Sequence, residues 1–135
     1  MKHTVRDIDI RGKRVLIRVD FNVPLEEATG RIADDTRIRE SLPTIRYCLE
    51  QGASVVLMSH LGRPDGTRVV SLSLAPVAQR LGEWLKRPVL ALADCLGPEA
   101  QFLAVAYRRA ANGAGYPKID AILGGGRIDR DRLDI

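Results

Sequence analysis

GASVVLMSHLGRP, residues 52–64, decides how the rest of this chain is read. Its apolar core at 53–59 is short and rich in valine, and Gly52 and Gly62 limit its length. Such a run reads as a buried strand, and the glycines argue against its alternative, a buried helical segment. Buried strands of this kind belong to mostly parallel sheets covered by helices. Directly after the run come His60, Gly62, Arg63 and Pro64, so a ring donor and a guanidinium stand at a strand end.

The neighbouring segments extend the same pattern. Upstream, RVLIRVD (14–20) follows a polar turn and reads as a second strand, with Arg18 interrupting its apolar character. Pro24 and Gly30 then mark a loop or hairpin. Ser41 reads as a helix N-cap with Pro43 in the first turn, followed by Leu42, Ile45 and Leu49 at helical spacing and Gly52 as the stop.

Downstream, Ser73 reads as the cap of a helix whose apolar stripe is Leu74, Val77, Ala78, Leu81 and Leu85. RPVLALAD (87–94) predicts a third strand, and Pro98 opens a further helix over 98–112, ended by Gly113 and Gly115. KIDAILGGG (118–126) predicts a fourth strand running into a glycine loop. This alternation implies a Rossmann-like, three-layer α/β/α arrangement on a mostly parallel sheet. No internal repeat or low-complexity tract interrupts it.

Composition sets wider bounds. At 135 residues the chain is long enough for about one domain with a real core. Aromatic residues are only 4%, so that core must rest on Val, Leu, Ile and Ala. The net charge of +4, carried mostly by arginine, suits an anionic small-molecule ligand or simply a basic solvated surface. The opening MKHTVRDIDI has no apolar signal region, and no run reaches the ~18 residues of a membrane span. The expectation is a cytoplasmic protein with neither membrane nor nucleic-acid partners. Cys48 and Cys95 fit no metal-ligand spacing and read as reduced thiols, so no metal site is expected.

Open parallel sheets bind ligands at the carboxyl ends of their strands. That rule selects DFN (20–22), SHLGR (59–63) and GGG (124–126). Asp20 and Asn22 offer a carboxylate and an amide for a hydroxyl, His60 and Arg63 offer anion donors, and Arg37 and Arg39 come from DDTRIRE. If the first two strands are neighbours, these groups converge on one edge and suit a small phosphorylated hydroxy-acid. Plainer readings stand beside each. Asp20 pairs with Arg18 or Arg37; Asn22 is a turn residue; His60 caps a strand end; Arg63 is a surface cation; Asp34 and Asp35 are loop or helix-start acids.

RVLIRVDFNVPL (14–25), DDTRIRESLPTIRYCLEQGASVVLMSHLGRPDG (34–66), SLAPVAQRL (73–81) and DCLGPE (94–99) closely resemble the N-terminal part of phosphoglycerate kinases. The resemblance covers roughly the first hundred residues. It implies an incomplete N-terminal, 3-phosphoglycerate-binding domain over 1–112. It also implies phosphoryl transfer between 1,3-bisphosphoglycerate and ADP, giving 3-phosphoglycerate and ATP with Mg²⁺. By motif match, Asp20 and Asn22 contact the glycerate hydroxyl end. Arg37 lies by the carboxylate carrying the transferred phosphoryl, as the catalytic residue. His60 and Arg63 hold the non-reacting 3-phosphate.

After Glu99 the sequence departs from the family. Its ENVRF-like and NDAFGTAHR-type motifs do not occur here, and Arg108 and Arg109 do not replace them. AILGGGRIDRDRLDI (121–135) looks like the start of the family's nucleotide domain, so 113–135 is expected to be a linker and a remnant of it. Gly124 and Gly125 match that motif, while Arg127 stands where the family has a phosphate-facing lysine. The implied chain is truncated or internally deleted and inactive alone. It is marginally stable and prone to self-association, whereas the family is typically monomeric. The alternative is a phospho-acid binding module without catalysis.

Overall fold

The computed structural model describes residues 2–62 and 70–92, and the backbone of 120–124. Four strands, β1 (Arg14–Arg18), β2 (Ser54–Ser59), β3 (Val89–Leu92) and β4 (Asp120–Gly124), form one sheet in the order β1-β2-β4-β3. Every pairing in it is parallel. Helices α1 (Thr36–Glu50) and α2 (Ala75–Leu85) complete the elements that position the candidate site. The expected helix at 98–112 lies outside the described residues.

The sheet follows from its sequence. Val55 and Leu57 of β2 are fully buried under the helices, each stabilising the fold by roughly 1.5–3 kcal/mol. Their register partners Val15 and Ile17 of β1 pack on the same cluster, together with Val89 and Ala91 of β3. The steps β1 to β2 and β2 to β3 run in one direction across the sheet, so right-handed crossovers place α1 and α2 on the same face. Both helices contribute to one core with Ile38, Ile45, Val77 and Leu81. The alternate strand residues Leu16 and Leu90 stay exposed at 59% and 46%. At register positions Leu16 pairs with Val56, Val56 with Ala121, and Ala121 with Leu90.

Two helix starts differ from expectation. α1 begins at Thr36 and runs through Pro43, so Ser41 is no cap; its hydroxyl donates to the Ile38 carbonyl at 2.7 Å. The Asp34 carboxylate takes hydrogen bonds from the Thr36 amide and hydroxyl at 2.8 and 2.6 Å, which starts the helix earlier. Pro43 removes one internal amide, and burial of Ile38, Leu42, Ile45, Cys48 and Leu49 offsets that loss. In α2 the cap position falls to Leu74, while the Ser73 hydroxyl still accepts from the Ala75 amide at 3.2 Å. The stop at Gly52 is as expected: it adopts φ +80° and its amide bonds the Leu49 carbonyl. Residues 24–33 form the hairpin option, bridged at Leu25 and Ile32. Burial pushes the Cys48 thiol pKa up, as fits a core residue. No helix among the described residues is long and apolar enough to cross a membrane.

Candidate functional site at the carboxyl edge of the sheet

β1 and β2 are direct neighbours, so the loops that follow them lie side by side. The Val19 amide still bonds the Met58 carbonyl at 2.9 Å, extending the strand pairing by one step. Beyond it side chains take over from the ladder. The Ser59 hydroxyl accepts from the Phe21 amide at 2.9 Å, and the Asn22 side-chain oxygen accepts from the Gly62 amide at 2.9 Å. Phe21 and Leu61 are buried beneath these bonds and anchor each loop to the core. The two loops are thus joined into one rigid edge.

Arg37, in the first turn of α1, reaches across to this edge. Its Nη1 sits 2.9 Å from both carboxylate oxygens of Asp20 and 3.1 Å from the Asn22 carbonyl. Its Nε and Nη2 have no partner among the described residues. The pair is open to solvent, with Asp20 and Arg37 side chains 63% and 49% exposed. The plainer reading of Asp20, an ion pair, therefore holds with Arg37, yet most of the guanidinium fork is left for a ligand. His60 follows β2 on the same edge, exposed, and its ring has no partner among the described residues. Arg63 lies outside the described residues.

The structure therefore brings Asp20, Asn22 and Arg37 into one bonded group, with His60 on the next loop. Ser59 and Gly62 belong to it as supports, although the sequence reading assigned them no role. Gly62 takes φ +64°, and a Cβ there would lie 2.8 Å from Leu72 Cδ2. A left-handed backbone near a neighbouring side chain favours glycine. No local signal marks Ser59, the last residue of β2, for this role, because its bond is to a loop 38 residues earlier in the chain.

Arg39 is not part of this edge. Its Nε bonds Asp35 at 2.9 Å, and Asp35 also takes Arg80 Nη1 at 3.1 Å and the Trp84 indole N–H at 3.0 Å. The Trp84 bond leads the effects that hold the Asp35 carboxyl below its usual range, against the opposing cost of burial and with help from Arg39 and Arg80. An open groove of about 540 Å³ between α2 and β3 is lined by none of the candidate residues.

Gly124 ends β4 in register with Ser59, so it stands on the same carboxyl edge, beside β2. Gly125 and Arg127 lie outside the described residues. Among the described residues no three His, Cys, Asp or Glu side chains gather as a metal site.

Comparison with known proteins agrees with this fold. The phosphoglycerate kinase family model matches residues 5–111. Phosphoglycerate kinase from Coxiella burnetii is 32% identical, with a TM-score of 0.64 over 88% of this chain and 26% of that one. Phosphoglycerate kinase from Pyrococcus horikoshii OT3 is also 32% identical, with a TM-score of 0.65 and the same coverages. The chain thus spans about a quarter of the length of these structures. A family match over residues 5–111, with 32% identity and a shared fold to two solved phosphoglycerate kinases over 88% of its length, places this chain in the phosphoglycerate kinase family.

Proposed function

We propose that the chain binds 3-phosphoglycerate or 1,3-bisphosphoglycerate at the joined β1 and β2 loops, as the glycerate half of a phosphoglycerate kinase. The observation that carries this is the state of Arg37. One nitrogen is fixed by Asp20 and the Asn22 carbonyl, and the rest of the fork has no partner among the described residues. A pre-aimed guanidinium suits a carboxylate or acyl phosphate. In this reading Asp20 and Asn22 meet the glycerate hydroxyl end, and His60 and Arg63 hold the 3-phosphate. Arg37 stabilises charge developing on the transferred phosphoryl.

ATP or ADP with Mg²⁺ would supply the second substrate of the family's reaction. Of the nucleotide reading, Gly124 alone is among the described residues, at the carboxyl end of β4. Excluding water between two domains is part of such transfers, so this chain alone is expected to lack turnover. A coupled assay with ATP, magnesium and 3-phosphoglycerate tests that: turnover above background by pure protein refutes it. Calorimetry with 3-phosphoglycerate tests the binding. Heats lost in Arg37→Ala and reduced in Arg63→Ala support the site, and equal heats in wild type and Arg63→Ala remove Arg63 from it.

A non-catalytic phospho-acid binding module uses the same residues and is the outcome if binding occurs without turnover. Calorimetry with ADP separately tests Gly124, Gly125 and Arg127. Self-association through exposed Leu16 and Leu90 is also part of the proposal. A sharp melt independent of protein concentration, together with a monomer in sedimentation, would refute it.

A further inference from the structure

The α1–α2 seam holds the other dense polar cluster among the described residues, and it lies directly behind the catalytic candidate. Asp35 is the residue just before α1, two positions from Arg37, and its side chain is 14% exposed. It collects Arg39 from its own helix and Arg80 and Trp84 Nε1 from α2. At the other end of α1, Arg46 Nη2 donates to the Trp84 carbonyl at 2.9 Å. Trp84 therefore ties both ends of α1 to α2, by its indole at one end and its backbone at the other.

We propose that Asp35 is the positioning residue of the glycerate site: it fixes the start of α1 against α2 and so sets where Arg37 meets Asp20 and Asn22. This rests on the substrate reading above for its functional meaning, but not for its geometry. Arg37 bonds Asp20 and Asn22, and Asn22 bonds the Gly62 amide, so a displaced first turn of α1 is felt on both loops. The Arg37–Asp20 pair is exposed and weakly self-supporting, so its geometry depends on what holds the backbone beneath it. Asp35 bonds an indole and two guanidinium groups at once, which fixes one orientation. Arg46 serves as the natural control, since its bond joins the same two helices away from the site.

The test compares wild type, Asp35→Asn, Asp35→Ala and Arg46→Ala. Nitrogen-15 NMR follows the Gly62 amide and the Arg37 Nε–H, thermal melting follows stability, and calorimetry follows 3-phosphoglycerate. Both Asp35 variants are expected to move the Gly62 and Arg37 resonances and to weaken binding about tenfold, with Asp35→Asn remaining folded. Arg46→Ala is expected to lower the melting midpoint without moving those resonances. Unmoved resonances in Asp35→Asn, or equal movement in Arg46→Ala, overturn the proposal. If wild type gives no heat with 3-phosphoglycerate, the substrate reading fails, and the NMR comparison still decides the positioning role.

Discussion

Asp20 and Asp35 both hold arginine, and they sit in opposite settings. Asp20 stands at an open strand end, 63% exposed, and shares one guanidinium nitrogen with a backbone carbonyl. Asp35 stands in a helix–helix seam, 14% exposed, with two guanidinium groups and an indole around it. The first arrangement leaves donors unspent, which a ligand needs; the second spends them, which a scaffold needs. Exposed ion pairs contribute about 0–1 kcal/mol to stability, whereas partly buried charged hydrogen bonds contribute about 1.5–3. The open cluster can therefore serve binding at little cost to the fold, and the closed one carries the fold.

The largest expected effect is on the open side. Arg37→Ala should weaken 3-phosphoglycerate binding about 10- to 100-fold by calorimetry, corresponding to the loss of charged hydrogen bonds, while moving stability by less than about 0.5 kcal/mol. Arg37→Lys should recover the charge but little of the affinity, since the fork is lost. A large stability loss in Arg37→Ala would erase the distinction between the two clusters.

Next comes the seam. Asp35→Ala should cost about 2 kcal/mol in chemical denaturation, because Arg80 Nη1 and the Trp84 indole lose this acceptor together. Trp84 is the chain's sole tryptophan, so its emission should report that loss directly. Gly62→Ala should cost roughly 1–2 kcal/mol, since the left-handed backbone is strained for any side chain and Leu72 must also move. Its effect on binding should exceed that of a surface glycine such as Gly12, whose Cβ would meet open space.

The smallest effect is in acid. The Asp35 pKa is lowered in the folded chain, so its contribution to stability is present above the ordinary carboxylate pKa near ~4 and is lost as pH falls through the depressed value. Asp35→Asn should therefore flatten part of the acid limb of a melting-versus-pH curve. Only part is expected, because Asp9, lowered to about 2 by its hydrogen bonds with Arg11, is also depressed. An unchanged acid limb would place the Asp35 interaction on the same weak footing as the open pair.

Much of the fold was legible in advance, for a local reason. Apolar runs and the turn residues around them located β1 and β2 and the middle of β3 and β4, and the stripe Leu74, Val77, Ala78, Leu81 and Leu85 located α2. The start of α1 was not legible. Ser41 and Pro43 carry the stronger local signal, but Asp34, Asp35 and the burial of Ile38 extend the helix toward the edge. That extension moves Arg37 from a loop into the first helical turn. The candidate residues 20, 22, 37 and 60 were legible from strand ends and motif, whereas Ser59 and Gly62 were not, because their role is to bond the adjacent loop.

The sequence by itself determined the strands, the helix stripes, the family and which side chains stand at strand ends, because periodicity and motif are properties of neighbours along the chain. Tertiary structure alone decided the sheet order β1-β2-β4-β3, the bond from Asn22 to Gly62, and the meeting of Asp35 with Arg80 and Trp84. Those partners are about 40 to 50 residues apart, and nothing local encodes them. They arise when packing of the apolar faces brings the strand ends and helix starts together, so that polar groups far apart in the chain come within bonding distance.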